Sequence, residues 1–167
     1  MKMTRSSFLL SSLVLCAIGI SNANAQTAVT VTLSGNMPVP SLSLPSSSMV
    51  GGVSQAVSVT STGTVSGGKL QFAPLSITRV ANASSPTLFE MQATGRPAKR
   101  AVIKVGTTTL TLGGVYVSDI KYSAADSGGV LETVTFTYMA MSVTDGTTEK
   151  GWSLTTNAAW TAASTNP

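Results

Sequence analysis

Residues 84–105 read SSPTLFEMQATGRPAKRAVIKV, a stretch that passes from a capped helix into an alternating strand. Ser85 suits an N-cap, Pro86 the first helical position, where its missing N–H costs nothing, and Gly95 the residue after the helix end, where a positive φ is wanted. The roughly nine residues between them make about two and a half turns. Such a helix is too short to stand alone, so Leu88, Phe89, Met91 and Ala93 are expected to pack against the rest of the fold.

Outward from this helix the pattern has period two. On its C-terminal side Ala101, Ile103 and Val105 alternate with Val102 and Lys104. Leu110 and Leu112 follow a turn at Gly106, and Val115 to Tyr122 alternates after Gly113-Gly114. SAADSGG, residues 123–129, reads as a surface loop. The next strand puts Val134, Phe136, Tyr138 and Ala140 on one face and Thr133, Thr135 and Thr137 on the other. Asp145-Gly146 marks a turn before a last strand around Trp152 and Leu154.

On the N-terminal side, Val29 to Leu33 is a strand, and the proline-rich MPVPSLSLPSSS allows only an edge segment with Leu42 and Leu44 facing one way. Val53 to Thr60 alternates, and STGTVSGG, residues 61–68, reads as a loop. Leu70 and Phe72 then alternate up to Pro74, and Leu75, Ile77 and Arg79 resume the period, which predicts a bulge or bend at the proline. Roughly eight short strands with one helix predict a mainly β fold: an antiparallel β-barrel of two packed sheets with one short flanking α-helix.

The first 25 residues read as a signal peptide. Lys2 and Arg5 form a basic start, Phe8 to Ile20 an apolar run too short to span a bilayer, and Ala23-Asn24-Ala25 a small-x-small cleavage site. Residues 26–160 then form the β domain and residues 161–167 a flexible C-terminal tail. Cys16 is the only cysteine and lies in the leader, so the exported domain would have no disulfide. The expected location is the periplasm or outside the cell, with no stable membrane insertion.

Little chemistry is available. The chain has no His, and its net charge of +4 includes Lys2 and Arg5 of the leader. The remainder is too weakly basic for a nucleic-acid footprint, and Arg96, Lys99 and Arg100 read as solvated surface or a contact with another subunit. Without His or a GxSxG turn no serine has a conventional activating base, and the scattered carboxylates fit neither a calcium loop nor a glycosidase pair. No catalytic residue, metal ligand or cofactor is assigned. Glu132, taken as lying on the threonine-bearing face of its strand, is expected in solvent or in a cross-strand ion pair. Trp152 and Trp160 read as core or interface residues before sugar-stacking ones.

A family pattern is spread along the chain. FAPLSITRVANASSPTLFEMQATGRPAKRAVIKV, then LGGVYVSDIKYSA, ETVTFTYMAMSVT and KGWSL together resemble the Hcp proteins, tube components of bacterial type VI secretion systems. Ser85, Pro86 and Leu88 match the family's helix start and Gly95 its end. Val117, Ser118 and Ile120 match a hairpin strand, Glu132, Val134 and Phe136 a late strand, and Gly151-Trp152 the closing G-W. The match covers residues 70–154. The resemblance implies a structural, non-enzymatic barrel that assembles with itself into six-membered rings stacked as a tube, with effector proteins as possible cargo. The sequence departs from that pattern in its leader, its proline-rich N-terminal part, and Ala81, Asn82 and Ala83 where the family carries charge. The other reading of the same strands is a secreted β-sandwich binding module, an adhesin or carbohydrate-binding domain, that reuses the fold.

Overall fold

The computed structural model describes residues 29–59, 65–126, 128–164 and 167. The leader assigned to residues 1–25 lies outside them. The elements in chain order are β1 (Val29–Ser34), β2 (Ser41–Ser46), β3 (Ser48–Val59), β4 (Val65–Val80), α1 (Ser85–Thr94), β5 (Ala98–Val105), β6 (Thr108–Ala124), β7 (Val130–Thr137), β8 (Ala140–Asp145), β9 (Thr148–Ser153) and β10 (Ala158–Ala159).

All the ladders are antiparallel, and they form two sheets that share one strand. The first runs β10-β9-β8-β6-β5-β1-β2, and the second continues from β6 through β7 and β4 to β3. The seventeen residues of β6 serve both: Thr108–Val115 pair with β5, and Tyr116–Ala124 pair with β7. The sequence pattern suggested two strands broken at Gly113-Gly114. Those glycines instead let one strand bend from sheet to sheet, with Gly114 at φ 60°. At the opposite corner β2 leads into β3 through Ser47, whose N–H donates to the Thr78 carbonyl at 2.8 Å. Two sheets packed face to face, joined at these corners and flanked by one helix, are the architecture expected from the sequence.

The core fills the space between the sheets, and the period-two residues supply it. Val31 and Leu33 of β1, Leu44 of β2, Ile77 of β4, Ile103 of β5, Leu112 of β6 and Val134 of β7 are all fully buried. Leu42 and Leu44 face inward from the proline-bearing edge strand β2, as expected. The bulge at Pro74 is present: the β3–β4 register runs Gly52 to Ala73 and then Val50 to Ser76, which leaves one extra residue on β4. Tyr138 holds the bulge by donating from its hydroxyl to the Ala73 carbonyl at 3.1 Å, with its ring stacked on Phe72. Burial pushes the Tyr138 phenol above its ordinary pKa.

Two other expectations are corrected. Val65 to Gly68, read as part of a loop, belong to β4, and Val65, Ser66 and Gly67 pair with β3. Ladder hydrogen bonds are made by the backbone alone, so glycine-rich composition does not prevent pairing in a long hairpin. On α1, Leu88 and Met91 are buried, but Phe89 is 59% exposed and Ala93 lies in solvent. Ten helical residues present only one narrow stripe to the core.

Candidate functional site

Of the residues that carry the family pattern, Ser85 and Glu132 lie at the entrance to α1, linked there by Arg79 and Asn82. Arg79, in phase with inward-facing Leu75 and Ile77, sits directly opposite Glu132 on the β4–β7 ladder. Its Nε lies 2.7 Å from Glu132 Oε1, and both side chains are completely buried. Glu132 is therefore neither solvated nor on the threonine face. It shares the inward period of Val134 and Phe136, and of the two outcomes expected for it the cross-strand ion pair is the one found.

The charge pair is close but imperfectly aligned, and Arg79 Nη1 and Glu132 Oε2 lack hydrogen-bond partners. Arg79 Nη2 is better placed, donating to Asn82 Oδ1 at 2.5 Å. Asn82 Oδ1 also accepts from the Ser84 N–H at 2.8 Å, which orders the turn into the helix. The cap itself is Ser84 rather than Ser85, and its side chain makes no capping hydrogen bond. Ser85 turns its hydroxyl back to accept from the Asn82 N–H at 3.1 Å, within 3.5 Å of Arg79 Nη2. Pro86 falls in the first turn as expected, and Gly95 ends the helix in the left-handed region, its N–H donating to the Gln92 carbonyl.

One polar cluster thus ties two strands of the second sheet to the start of α1. Sequence reasoning named Ser85, Pro86 and Glu132, with the cap one residue late and Glu132 on the wrong face, and missed Arg79 and Asn82 as their links. The available signal was the inward period of Arg79, a charged residue where only apolar ones should sit. Leu88 and Phe136 are core residues beyond this cluster. On the hairpin strand, Ser118 forms a bulge between Val117 and Asp119, with its hydroxyl donating to the Thr135 carbonyl at 3.0 Å.

Trp152 is not part of that cluster. It lies on β9 opposite Met141 and Ala159, and it lines a groove of about 780 Å³ between β9 and the outer half of the β3–β4 hairpin, with Gln55, Lys69, Leu70 and Asn157. Its Nε1 is buried without a partner. Trp160 is 3% exposed and packs at Gly113. Of the three clustered cations, Arg96 and Lys99 are exposed, while Arg100 is half-buried and donates to the Ser164 carbonyl at 3.1 Å.

The sheet margins differ in chemistry. β2 is short and carries Pro45, and β10 has two residues. β3 has twelve residues, no charge and no proline, pairs only with β4, and exposes Val50 and Val53 at 72% and 46%. Proteins normally blunt such an edge with charge, proline or brevity. Among the described residues no group of three or more His, Cys, Asp or Glu is gathered, and no helix is long and apolar enough to cross a membrane.

Comparison with known proteins agrees with this architecture. No curated protein matches the chain. A solved type six secretion system protein is 17% identical, covers 80% of this chain and 99% of its own, and superimposes with a TM-score of 0.69. A doubly substituted Hcp1 protein from E. coli EAEC 042 is 21% identical over 77% of this chain and 99% of its own, with a TM-score of 0.61. A chain of the six-fold symmetrised anti-feeding prophage baseplate is 14% identical over 74% and 95%, with a TM-score of 0.57. At these identities the likeness is one of fold. The family model described as the type VI secretion system effector Hcp matches residues 46–144, more than half of the chain and every element from β3 to β7, and the chain belongs to that family.

Proposed function

We propose that this protein is a structural, non-enzymatic Hcp-family subunit that is exported and assembles with itself into a ring or tube, six copies being the number carried over from the family resemblance. The observation that carries the reading is the family match across β3 to β7, which contains the long uncharged β3 edge. An unpaired edge of this kind is a template for a strand from a neighbouring subunit, and a head-to-tail contact that closes generates a ring. The leader assigned to residues 1–25 would carry the subunit across the inner membrane, so its assembly would take place in the periplasm or outside the cell. Effector proteins are the proposed cargo of such a ring.

Size-exclusion chromatography with light scattering on the chain without residues 1–25 tests the assembly. The expected result is a discrete oligomer that Val50→Lys with Val53→Lys shifts toward monomer while the circular dichroism spectrum is kept. A wild-type chain that stays monomeric at high concentration overturns the reading.

The groove beside Trp152 favours a second reading, a carbohydrate-binding module on the same fold. An indole beside Gln55, Lys69 and Asn157 offers a stacking face next to side-chain donors for a hydroxyl-rich ligand. Glycan-array binding abolished by Trp152→Ala supports this reading, and an array with no binding removes it.

A further inference from the structure

Residues 160–164 form a strap across the first sheet. Along β6, Leu112 points into the core, so Thr111 and Gly113 face the other way. On that outer face Thr111 lies opposite Ser142 of β8, which lies opposite Gly151 of β9. Thr111 and Ser142 are 3% and 0% exposed although they are polar and face away from the core. Residues 160–164 contribute to that burial. The Trp160 N–H donates to the Gly151 carbonyl at 3.0 Å, and Arg100 reaches the Ser164 carbonyl from β5.

The slot is cut to this segment. A Cβ added at Gly113 would stand 2.8 Å from Trp160 Cζ2 and 3.0 Å from Pro167 Cβ, and one at Gly151 would collide with the carbonyls of Met141 and Trp160. One side chain clasps strap and sheet together. Glu149 Oε1 accepts from the Ser142 hydroxyl and from the Ala162 N–H, each at 2.6 Å.

We infer that residues 160–164 are an acid-releasable strap whose clasp is the Glu149 carboxylate, and that its release uncovers the outer face of the first sheet and frees β9 from β10. The charged surroundings of the clasp are sparse. Arg100 acts on it from β5, Lys104 of β5 shares its row and face across Thr109 and Thr144, Asp145 of β8 and Lys150 of β9 point to the opposite face, and residues 108–113 of β6 and 160–164 of the strap carry no charge. The Ser142 hydrogen bond, then the Ala162 hydrogen bond, hold the Glu149 carboxyl below its ordinary pKa. A depressed carboxylate pKa means that the clasp's contribution is complete above the ordinary glutamate value and is lost as pH falls through the lower, folded one. The ion pair of Arg79 and Glu132 lies in the second sheet and takes no part in the strap.

Trp160 reports on the strap. In a Trp152→Phe background, the expected result is a red shift and increased acrylamide quenching of Trp160 emission below the ordinary glutamate range. Protection of the Ala162 amide from hydrogen exchange should be lost in the same step, while far-UV circular dichroism shows the sheets intact. In Glu149→Gln, which keeps an acceptor but not the charge, Trp160 should already be quenched at neutral pH and show no acid step. Constant Trp160 emission down to acid unfolding, loss of strap and sheets in a single transition, or an unchanged acid step in Glu149→Gln each overturns the inference.

Discussion

Arg79 and Glu132 occupy positions that the strand period assigns to apolar side chains, and each is tolerable there only because the other is present. Desolvating two charges is expensive, and the imperfect alignment with two unpartnered atoms limits what their attraction returns. Removing one partner strands a buried charge, so Glu132→Ala should lower unfolding stability by about 3–5 kcal/mol, read from urea denaturation. The double replacement Arg79→Met with Glu132→Leu should recover most of that loss. At the strap, Ser142→Ala removes the larger cause of the depressed Glu149 pKa. Its titration, followed by carboxyl carbon NMR shifts, should move upward toward the ordinary glutamate value. Glu132 also shows where single-sequence reading went astray. Its inward direction was available by counting in twos from Phe136, but a carboxylate reads as a surface residue until its partner is seen, and Arg79 is distant in sequence.

The helix was the most legible element, because its ends are marked by residues with backbone reasons to be there. Gly95 at φ 62° has open space around a would-be Cβ, so Gly95→Ala meets only the left-handed strain and should cost about 1–2 kcal/mol in thermal or urea unfolding. Leu88 is fully buried, and Leu88→Ala should cost about 2–5 kcal/mol. The N-terminal boundary was less legible. Either serine can cap a helix, and the choice of Ser84 follows from Asn82 and Arg79, which orient the turn from outside the helix. Strands were legible wherever alternation was clean, as in β1, β5 and β7. Their lengths were not: Gly67-Gly68 and Gly113-Gly114 looked like breaks, yet both pairs lie within continuous strands, Gly67 pairing with Val57 and Gly113 with Arg100 and Ala140. A glycine says that the backbone can bend, and the partner strand decides whether pairing continues.

At the scale of the molecule, the sequence conveyed a two-layer β fold with a lone helix but not the connection between the layers. That connection depends on pairing between segments far apart in the chain, which no local period records. The strap was equally hidden. Polar composition after Trp160 carries no sign of the hydrogen bonds that Ala162 and Ser164 make to Glu149 and Arg100, on strands that precede them. Gly113→Ala should therefore displace Trp160 by steric contact alone, without any change of pH. Its emission spectrum should resemble that of the acid form.

The shared strand has a further consequence. Because β6 donates one half to each sheet, neither layer can lose its ladders without stripping this strand of half its own bonds. Opening is then expected to be all-or-none rather than sheet by sheet. The backbone amides of Leu112, Val115, Val117 and their rung partners should form one slowest-exchanging set that spans both layers and sets the lifetime of the whole subunit.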